Sequence, residues 1–566
     1  MKLFFLILFF PLFSYSQTSY PKDYFVSPLD IPLQLSGNFG ELRPNHFHSG
    51  FDFKTLQREG LNVKAAAEGY VSRIKISESG YGKAIYITHP NGFTTVYGHL
   101  QSGYGKIEKK IKELQYKSQS YEIDVLLEPN ELIVEKAEQI AVSGNTGGSD
   151  GPHLHFEIRD TQSEKIINPL FFGFDTIIID TKQPNVTSLI VYPLTDSTKV
   201  NQSKIPISLG LYQQKDGSYL AEKVGASGKI GFGIISTDFD NVSWNANGIY
   251  KAEVSIDGMK TFGYTFNTFS FDETRLVNAL IDYERYKKLK QRVQRLFMQK
   301  AFPLSIVNSY QSNGIIDVSP AFRKNILLEV SDFNGNISKI NIPVEYSNEV
   351  VVVDAPKPKS KYYIKSGREA IFSKENVSVS FPENTFYQDF EMNFDVKDSV
   401  LQLHEDTVPA FKNFAITFVD STSSADDKKF IAYHNGKKWT YCTTKYANYT
   451  FTTYQKTLGR YQLMKDITCP KISITKEING KWISEEKDLK FIISDDLSGI
   501  KTYNGYLNGK WILLEYESKT KTLKHSFLDG IVDEGKNDLK VIVTDNVGNS
   551  TIFETQFFRS QKTLNK

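Results

Sequence analysis

The run His153-Leu154-His155-Phe156-Glu157-Ile158-Arg159 decides how the N-terminal part of this chain is read. In an extended strand successive side chains alternate between faces, so Leu154, Phe156 and Ile158 share an apolar face and His153, His155 and Glu157 share the other. The apolar face belongs in a core. The second face then carries two imidazoles side by side, one able to hold a metal and its neighbour free for proton transfer. The flanks also read as strands: Val71-Ser72-Arg73-Ile74-Lys75-Ile76 alternates, as does Ala84-Ile85-Tyr86-Ile87-Thr88, and Pro90-Asn91-Gly92 supplies a turn. The expected fold is mainly β and begins with an antiparallel sheet domain. One helix interrupts it, because Ile107, Ile111 and Leu114 recur at helical spacing within 106–115. A strand with Tyr121, Ile123, Val125 and Leu127 on one face follows.

Six of the nine histidines fall between positions 46 and 155. Besides the strand above, His48-Ser49-Gly50-Phe51-Asp52 and Tyr97-Gly98-His99-Leu100 hold them in short motifs. His48 and Asp52 would stand about 13 Å apart if fully extended. Ligands of one zinc ion lie about 2.0–2.2 Å from it, so the chain must bend between them, and Gly50 makes the bend cheap. His48, Asp52 and one of the later histidines would give three protein ligands and leave a fourth position for water, the arrangement of a catalytic zinc site. The chain has only Cys442 and Cys469, so a metal site must use imidazole and carboxylate. His46 and His89 lie close to these motifs without an assigned role. Arg43 and Arg159 are candidates either for substrate contacts or for ion pairs with neighbouring acids.

In this order, and beside Gly144-Asn145-Thr146-Gly147-Gly148 leading into Gly151-Pro152, the motifs resemble those of the lysostaphin- or LytM-type zinc metallopeptidases, which cleave peptide links in bacterial peptidoglycan. The resemblance runs from Asn38-Phe39-Gly40-Glu41-Leu42-Arg43 to Ile167-Asn168-Pro169. It implies Zn2+ as cofactor, with His48, Asp52 and His155 as ligands, and peptidoglycan as partner. It implies His153 as the general base, and His99 as a second catalytic histidine that orients the attacking water or stabilises the oxyanion. No His-Glu-x-x-His helix is present, so a histidine rather than a glutamate must act as base. Two departures stand out. Ala137 occupies a turn position where family members often have glycine, and residues 103–132 form a longer stretch than a minimal domain has, expected near the cleft. The alternative reading is a non-catalytic LytM-type wall protein that binds the wall or activates another hydrolase. Such proteins typically lack a ligand, whereas this chain keeps all five residues.

The chain of 566 residues is too long for one core. Residues 1–16 read as a secretory signal: Lys2, an apolar run from Leu3 to Phe13, then Ser14-Tyr15-Ser16, with a mature start at Gln17. The run falls short of the ~20 residues of a membrane span, so an exported protein without a transmembrane span is expected, in the periplasm or cell envelope of a Gram-negative bacterium. There the cross-link would run from D-alanine to diaminopimelate. The net charge of +2 gives no sign of a nucleic-acid partner, and none is expected. After a peptidase domain at 17–183, the expected units are an immunoglobulin-like β-sandwich with a helical insertion (184–348), a β-sandwich (349–468) and a second immunoglobulin-like β-sandwich (469–560). A weak repeat supports the first and last. Thr237-Asp238 corresponds to Ser494-Asp495, and Ser331-Asp332-Phe333-Asn334-Gly335-Asn336 to Thr544-Asp545-Asn546-Val547-Gly548-Asn549. In the insertion, Tyr286, Leu289, Val293 and Leu296 suggest one apolar helical stripe, and Arg285, Lys287, Lys288, Lys290, Arg292 and Arg295 a basic face. These units are expected to tether an enzyme whose chemistry is separable near Asp180.

Overall fold

The computed structural model describes residues 20–354, 360–422, 424 and 428–560. The expected signal at 1–16 lies outside them, as does 355–359 of the proline-containing linker. No helix of the described residues is long and apolar enough to cross a membrane. The protein is nearly all β.

In the N-terminal unit the strand His153–Asp160 lies between Phe51–Lys54 and Phe93–Gly98, antiparallel to both. Lys83–Thr88, Gly69–Ile76 and Ile123–Leu126 extend the row. The period-2 pattern produces the expected division of faces. Leu154, Phe156 and Ile158 are wholly buried, and Phe156 packs against Phe53 and Tyr97 with ring centroids 5.9 and 5.5 Å away. On the other face His155 stands directly across the ladder from Asp52. The helix Lys106–Ser118 buries Ile107, Ile111 and Gln115.

The following units are not strung out behind this sheet. Ile166–Ile167 pairs with Thr268–Phe269, so a strand from the next unit joins the N-terminal sheet. Phe39 and Phe47 stack on Phe269 at 4.8 and 5.4 Å, and Asn38 exchanges two hydrogen bonds with Gly248, at 2.7 and 2.9 Å. One hydrophobic core runs without a break from Phe25 to Val344. That shared core weighs against separability near Asp180, since cutting there would expose apolar surface that both parts bury. Within the second unit the layers meet through one 14-residue strand, Val224–Thr237. Its later part pairs with Asn185–Pro193, and its start runs parallel to Ile337–Tyr346.

The apolar helical stripe of the insertion does not form. Helix Tyr283–Leu289 ends at Lys290 in the left-handed conformation (φ 60°), leaving Leu289 exposed. Val293 and Leu296 are buried instead around the strand Gln294–Arg295, which pairs with Gly233 and Ile234. Much of the basic face is neutralised, by Lys287–Asp406, Lys288–Glu284 and Arg292–Glu41 ion pairs.

The described residues of 360–466 form two five-stranded sheets and one two-stranded sheet, and those of the last unit two four-stranded sheets. The last unit returns to the first. Glu515 receives Lys83 at 2.7 Å and Lys112 at 2.9 Å, Tyr116 bonds Asp529 at 2.7 Å, and Tyr503 bonds Glu78 at 2.7 Å. Burial disfavours the Glu515 carboxylate, but the two ammonium groups outweigh it and hold its pKa at about 2. The 103–132 stretch thus serves as a docking element for the C-terminal unit and contributes no residue to the cleft described below. Cys442 is buried, Cys469 exposed, and the two are unpaired.

Candidate metal centre

The chain bends at Gly50, between His48 and the strand Phe51–Lys54. Glycine is needed there for a second reason: a Cβ would lie 2.2 Å from the Phe156 carbonyl oxygen. The bend folds His48 back over Asp52, and three atoms converge. His48 Nε2 lies 3.1 Å from Asp52 Oδ1 and 3.2 Å from His155 Nδ1, and His155 Nδ1 lies 2.8 Å from Asp52 Oδ1. All three side chains are buried. Two imidazole nitrogens and a carboxylate oxygen in such a triangle could hold a metal ion.

Each donor is aimed by a bond at its far atom. His48 Nδ1 donates to the Asn38 carbonyl at 2.7 Å, which leaves Nε2 with its lone pair facing the centre. His155 Nε2 donates to Glu157 Oε1 at 2.8 Å, leaving Nδ1 free. Arg43 Nη2 donates to Asp52 Oδ2 at 2.6 Å, leaving Oδ1 to face the two histidines. Glu157 is fully buried and is satisfied by Arg159 at 2.7 Å, Ser49 at 2.6 Å, and the Tyr81 hydroxyl. Arg43 and Arg159 therefore act in ion pairs that orient the centre. Burial disfavours the charged form of His155, yet hydrogen bonds to Asp52 and Glu157 outweigh it and push its pKa up to about 9. Burial lowers His48, and Asp52 is held well below the usual carboxylate range despite its own burial, because His48, His153 and His155 face it.

His153 and His99 border the same centre. His153 Nδ1 donates to the Gly151 carbonyl at 2.8 Å, while its buried Nε2 has no hydrogen-bond partner and lies 3.3 Å from Asp52 Oδ1. The His99 ring lies 4.7 Å from that of His153 and 5.8 Å from that of His155. His99 has positive φ (59°), and its Nδ1 donates to the Thr146 carbonyl at 2.8 Å. The glycine-rich motif explains that carbonyl's placement. Gly147 (φ 71°) packs so closely on the Gly80–Gly82 loop that a Cβ would lie 2.3 Å from the Gly82 nitrogen. Burial, then the neighbouring His155 and His153, pull the His99 pKa down to about 3, so it is neutral at physiological pH.

All five residues singled out from the sequence thus surround one point. It opens into a cleft of about 1020 Å³ that Arg43, Asp52, His99 and His153 line, with exposed His46 at its edge. Trp244, Asn245 and Arg292 of the second unit complete the wall. Trp244 is 79 % exposed and carries the Lys54 ammonium 4.8 Å from its ring centroid. Nothing in the sequence motifs marks Trp244 or Tyr81, and Arg292 stands out there only as one member of a basic face. His89 is remote from the centre, bonded to the Glu68 carbonyl and Thr95 hydroxyl.

A β-sheet domain with a two-histidine, one-aspartate donor set at an open cleft has the form of an open metal site of the catalytic kind. Comparison with known proteins makes the class specific: residues 46–116 match peptidase family M23, and the chain carries a domain of this LytM/lysostaphin type. Residues 361–466 match a Zu5-like domain. An uncharacterized metalloprotease of Haemophilus influenzae is 33% identical over 131 residues, 23% of this chain and 21% of that protein. The DD-carboxypeptidase/endopeptidase Mpg of Neisseria meningitidis serogroup B is 31% identical over 139 residues, 24% of this chain and 26% of that one. The peptidoglycan DD-endopeptidase ShyC of Vibrio cholerae is 28% identical over 142 residues, 24% and 27% of the two chains. The chain spans about a quarter of the length of the curated relatives it matches.

Proposed function

We propose that this protein is an exported zinc metalloendopeptidase that hydrolyses peptide cross-links of bacterial peptidoglycan. The observation that carries the reading is the triangle of His48 Nε2, Asp52 Oδ1 and His155 Nδ1 with the unpartnered Nε2 of His153 beside it. The donor set fits zinc: two nitrogens and one oxygen, each oriented by a hydrogen bond at its other atom. Bound there, zinc would supply Lewis acidity for the scissile carbonyl and lower the pKa of water to about 7.

The chain's own groups account for the proton chemistry. With its Nδ1 proton committed to Gly151, His153 offers a lone pair on Nε2 and takes a proton from the attacking water. The resulting imidazolium then returns that proton to the leaving amine. His99 has its Nδ1 proton committed to Thr146 and stays neutral, so its Nε2 accepts a hydrogen bond. That favours orientation of the water over donation to an oxyanion. Asp52 facing His153 stabilises the imidazolium while it exists. Trp244 and Arg292 lie where a peptide strand would run past the centre, so the second unit contributes to substrate binding as well as to the fold.

The relatives' names support a wall peptide as substrate, since one of them is a peptidoglycan DD-endopeptidase. The test is to incubate the full-length chain, with its zinc content measured, with purified sacculi and to identify released fragments by mass spectrometry. Fragments with newly freed amino and carboxyl ends at the cross-link are expected. A zinc-loaded protein that binds sacculi and releases nothing would sink the proposal.

A further inference from the structure

The weak internal repeat has a structural counterpart away from the cleft. Asp180, Asp238 and Asp332 bring carboxylate oxygens within 4.8 Å of one another where the peptidase unit passes into the second unit. Asp466, Asp495 and Asp545 do the same where residues 360–466 pass into the last unit. The two clusters are built alike. The first aspartate of each lies in the connecting segment and accepts the backbone N–H two residues on, from Lys182 at 2.9 Å or Thr468 at 3.0 Å. The middle one directly follows a strand, Val224–Thr237 or Asp488–Ser494. The third opens an Asp-x-x-Gly-Asn turn and accepts both the backbone N–H of its asparagine, at 2.8 Å in each copy, and the side-chain amide, at 2.6 Å for Asn336 and 2.7 Å for Asn549. That amide also reaches the main-chain carbonyl of the first aspartate, at 3.3 Å in one copy and 3.0 Å in the other.

These hydrogen bonds position the carboxylates without neutralising them. Among the described residues none of the six is ion-paired with a lysine or arginine. Lys182 turns its ammonium to the Asp240 carbonyl instead, at 2.7 Å. Asp238 is only 6% exposed, and its Oδ1 has no partner. Asp240 Oδ2 and Asn247 Oδ1, equally buried and unpartnered, line the same cavity of about 50 Å³ together with the three aspartates. Burial and then Asp180 and Asp332 push the Asp238 carboxyl up to about 8, the mark of a cluster short of positive charge. In the second copy Asp495 Oδ1 and the buried Ser498 hydroxyl lack partners, while the Ser498 N–H binds Asp466 at 3.0 Å.

We propose that each aspartate cluster is a divalent-cation site of the oxygen-only kind that suits calcium, seated at a joint between two units. Oxygen donors without nitrogen or sulfur select a hard cation. Carboxylates drawn from three separate segments, joined by the Asn247 amide carbonyl in the first copy and the Ser498 hydroxyl in the second, suit the large, adaptable shell of calcium better than the strict octahedron of magnesium. Such an ion ties the connecting segment to a strand end and a turn of the next unit, and so fixes the angle at which successive units meet. It is distinct in donor chemistry and position from the His48–Asp52–His155 centre.

The test uses the full-length chain, stripped with chelator and then given excess zinc, so that the histidine centre does not report. Calorimetric titration with calcium chloride should find two ions per chain, one for each cluster, with magnesium bound at least about tenfold more weakly. Asp238→Asn and Asp495→Asn, which preserve shape, should each remove one equivalent, and calcium should raise the Tm of the native chain. Absence of calcium uptake by the native chain at millimolar concentration overturns the proposal, and this measurement needs no variant. Two equivalents retained in Asp238→Asn would also overturn it. So would a higher Tm in that variant without a calcium response, because protons shared among the carboxyls would then explain the cluster.

Discussion

His155, within the sheet, and His89, just past the end of its strand Lys83–Thr88, are equally buried imidazoles, each 3% exposed, and their surroundings give them opposite character. His89 meets a carbonyl and a hydroxyl, both neutral, and burial lowers its pKa to about 4. His155 meets the carboxylates of Asp52 and Glu157, which overcome burial and raise it to about 9. Depth in the protein therefore does not decide whether a histidine is inert. The charge of the groups at its two nitrogens does, and at the cleft end those groups are themselves anchored by Arg43 and Arg159.

The largest test of that contrast removes the charge at the centre. Asp52→Ala, like His48→Ala and His155→Ala, should lose bound zinc and turnover together, read by metal analysis and wall digestion. Full zinc occupancy in any of the three would break the assignment. In the native chain zinc affinity should climb as pH rises towards about 9, because His155 must shed its proton to bind. Next, His153→Ala and His99→Ala should keep their zinc while turnover drops about a hundredfold or more. Near-native turnover in His153→Ala would mean that another group is the base.

A smaller effect is expected one bond further out. Glu157→Gln keeps shape but removes the charge that supports His155, so zinc affinity should fall roughly 10–100-fold. Unchanged affinity would show that the carboxylate serves only the fold. At the other end, His89→Gln should leave metal and turnover untouched and alter only the dependence of stability on pH. The folded pKa of His89 lies below its unfolded value, so the unfolded chain binds the extra proton. Its contribution is complete above the unfolded value and is lost as pH falls towards about 4, by on the order of 3 kcal/mol. Chemical denaturation of the variant between these limits should give a flatter profile, from a lower starting stability because two buried hydrogen bonds are altered. An unchanged slope would assign the acid sensitivity elsewhere.

Local pattern made much of this legible. The strand His153–Asp160 follows from alternation alone, and the helix Lys106–Ser118 from three apolar residues at helical spacing. The five residues around the centre stand out because histidine is scarce elsewhere in the chain and their motifs are short. What stayed hidden depends on contacts between distant segments. Trp244 and Arg292 reach the cleft through contacts between the first two units, among them Phe266 and Phe269 on Phe47 and the Ser243 hydroxyl on the Leu35 carbonyl. The role of 103–132 was misread because Glu515 and Asp529, its partners, lie in the last unit. The helical stripe failed at Lys290, where left-handed backbone ended a helix that apolar spacing alone would have continued.

The clasp between Lys83 and Glu515 joins residues 432 positions apart in the chain. Contacts of such separation carry the greatest loop-closure cost and form late. The strand bearing Lys83 leaves the ribosome well before Glu515, its partner 432 residues further on. The finished geometry therefore depends on both segments, and the earlier one must wait for the later before its surface is sealed.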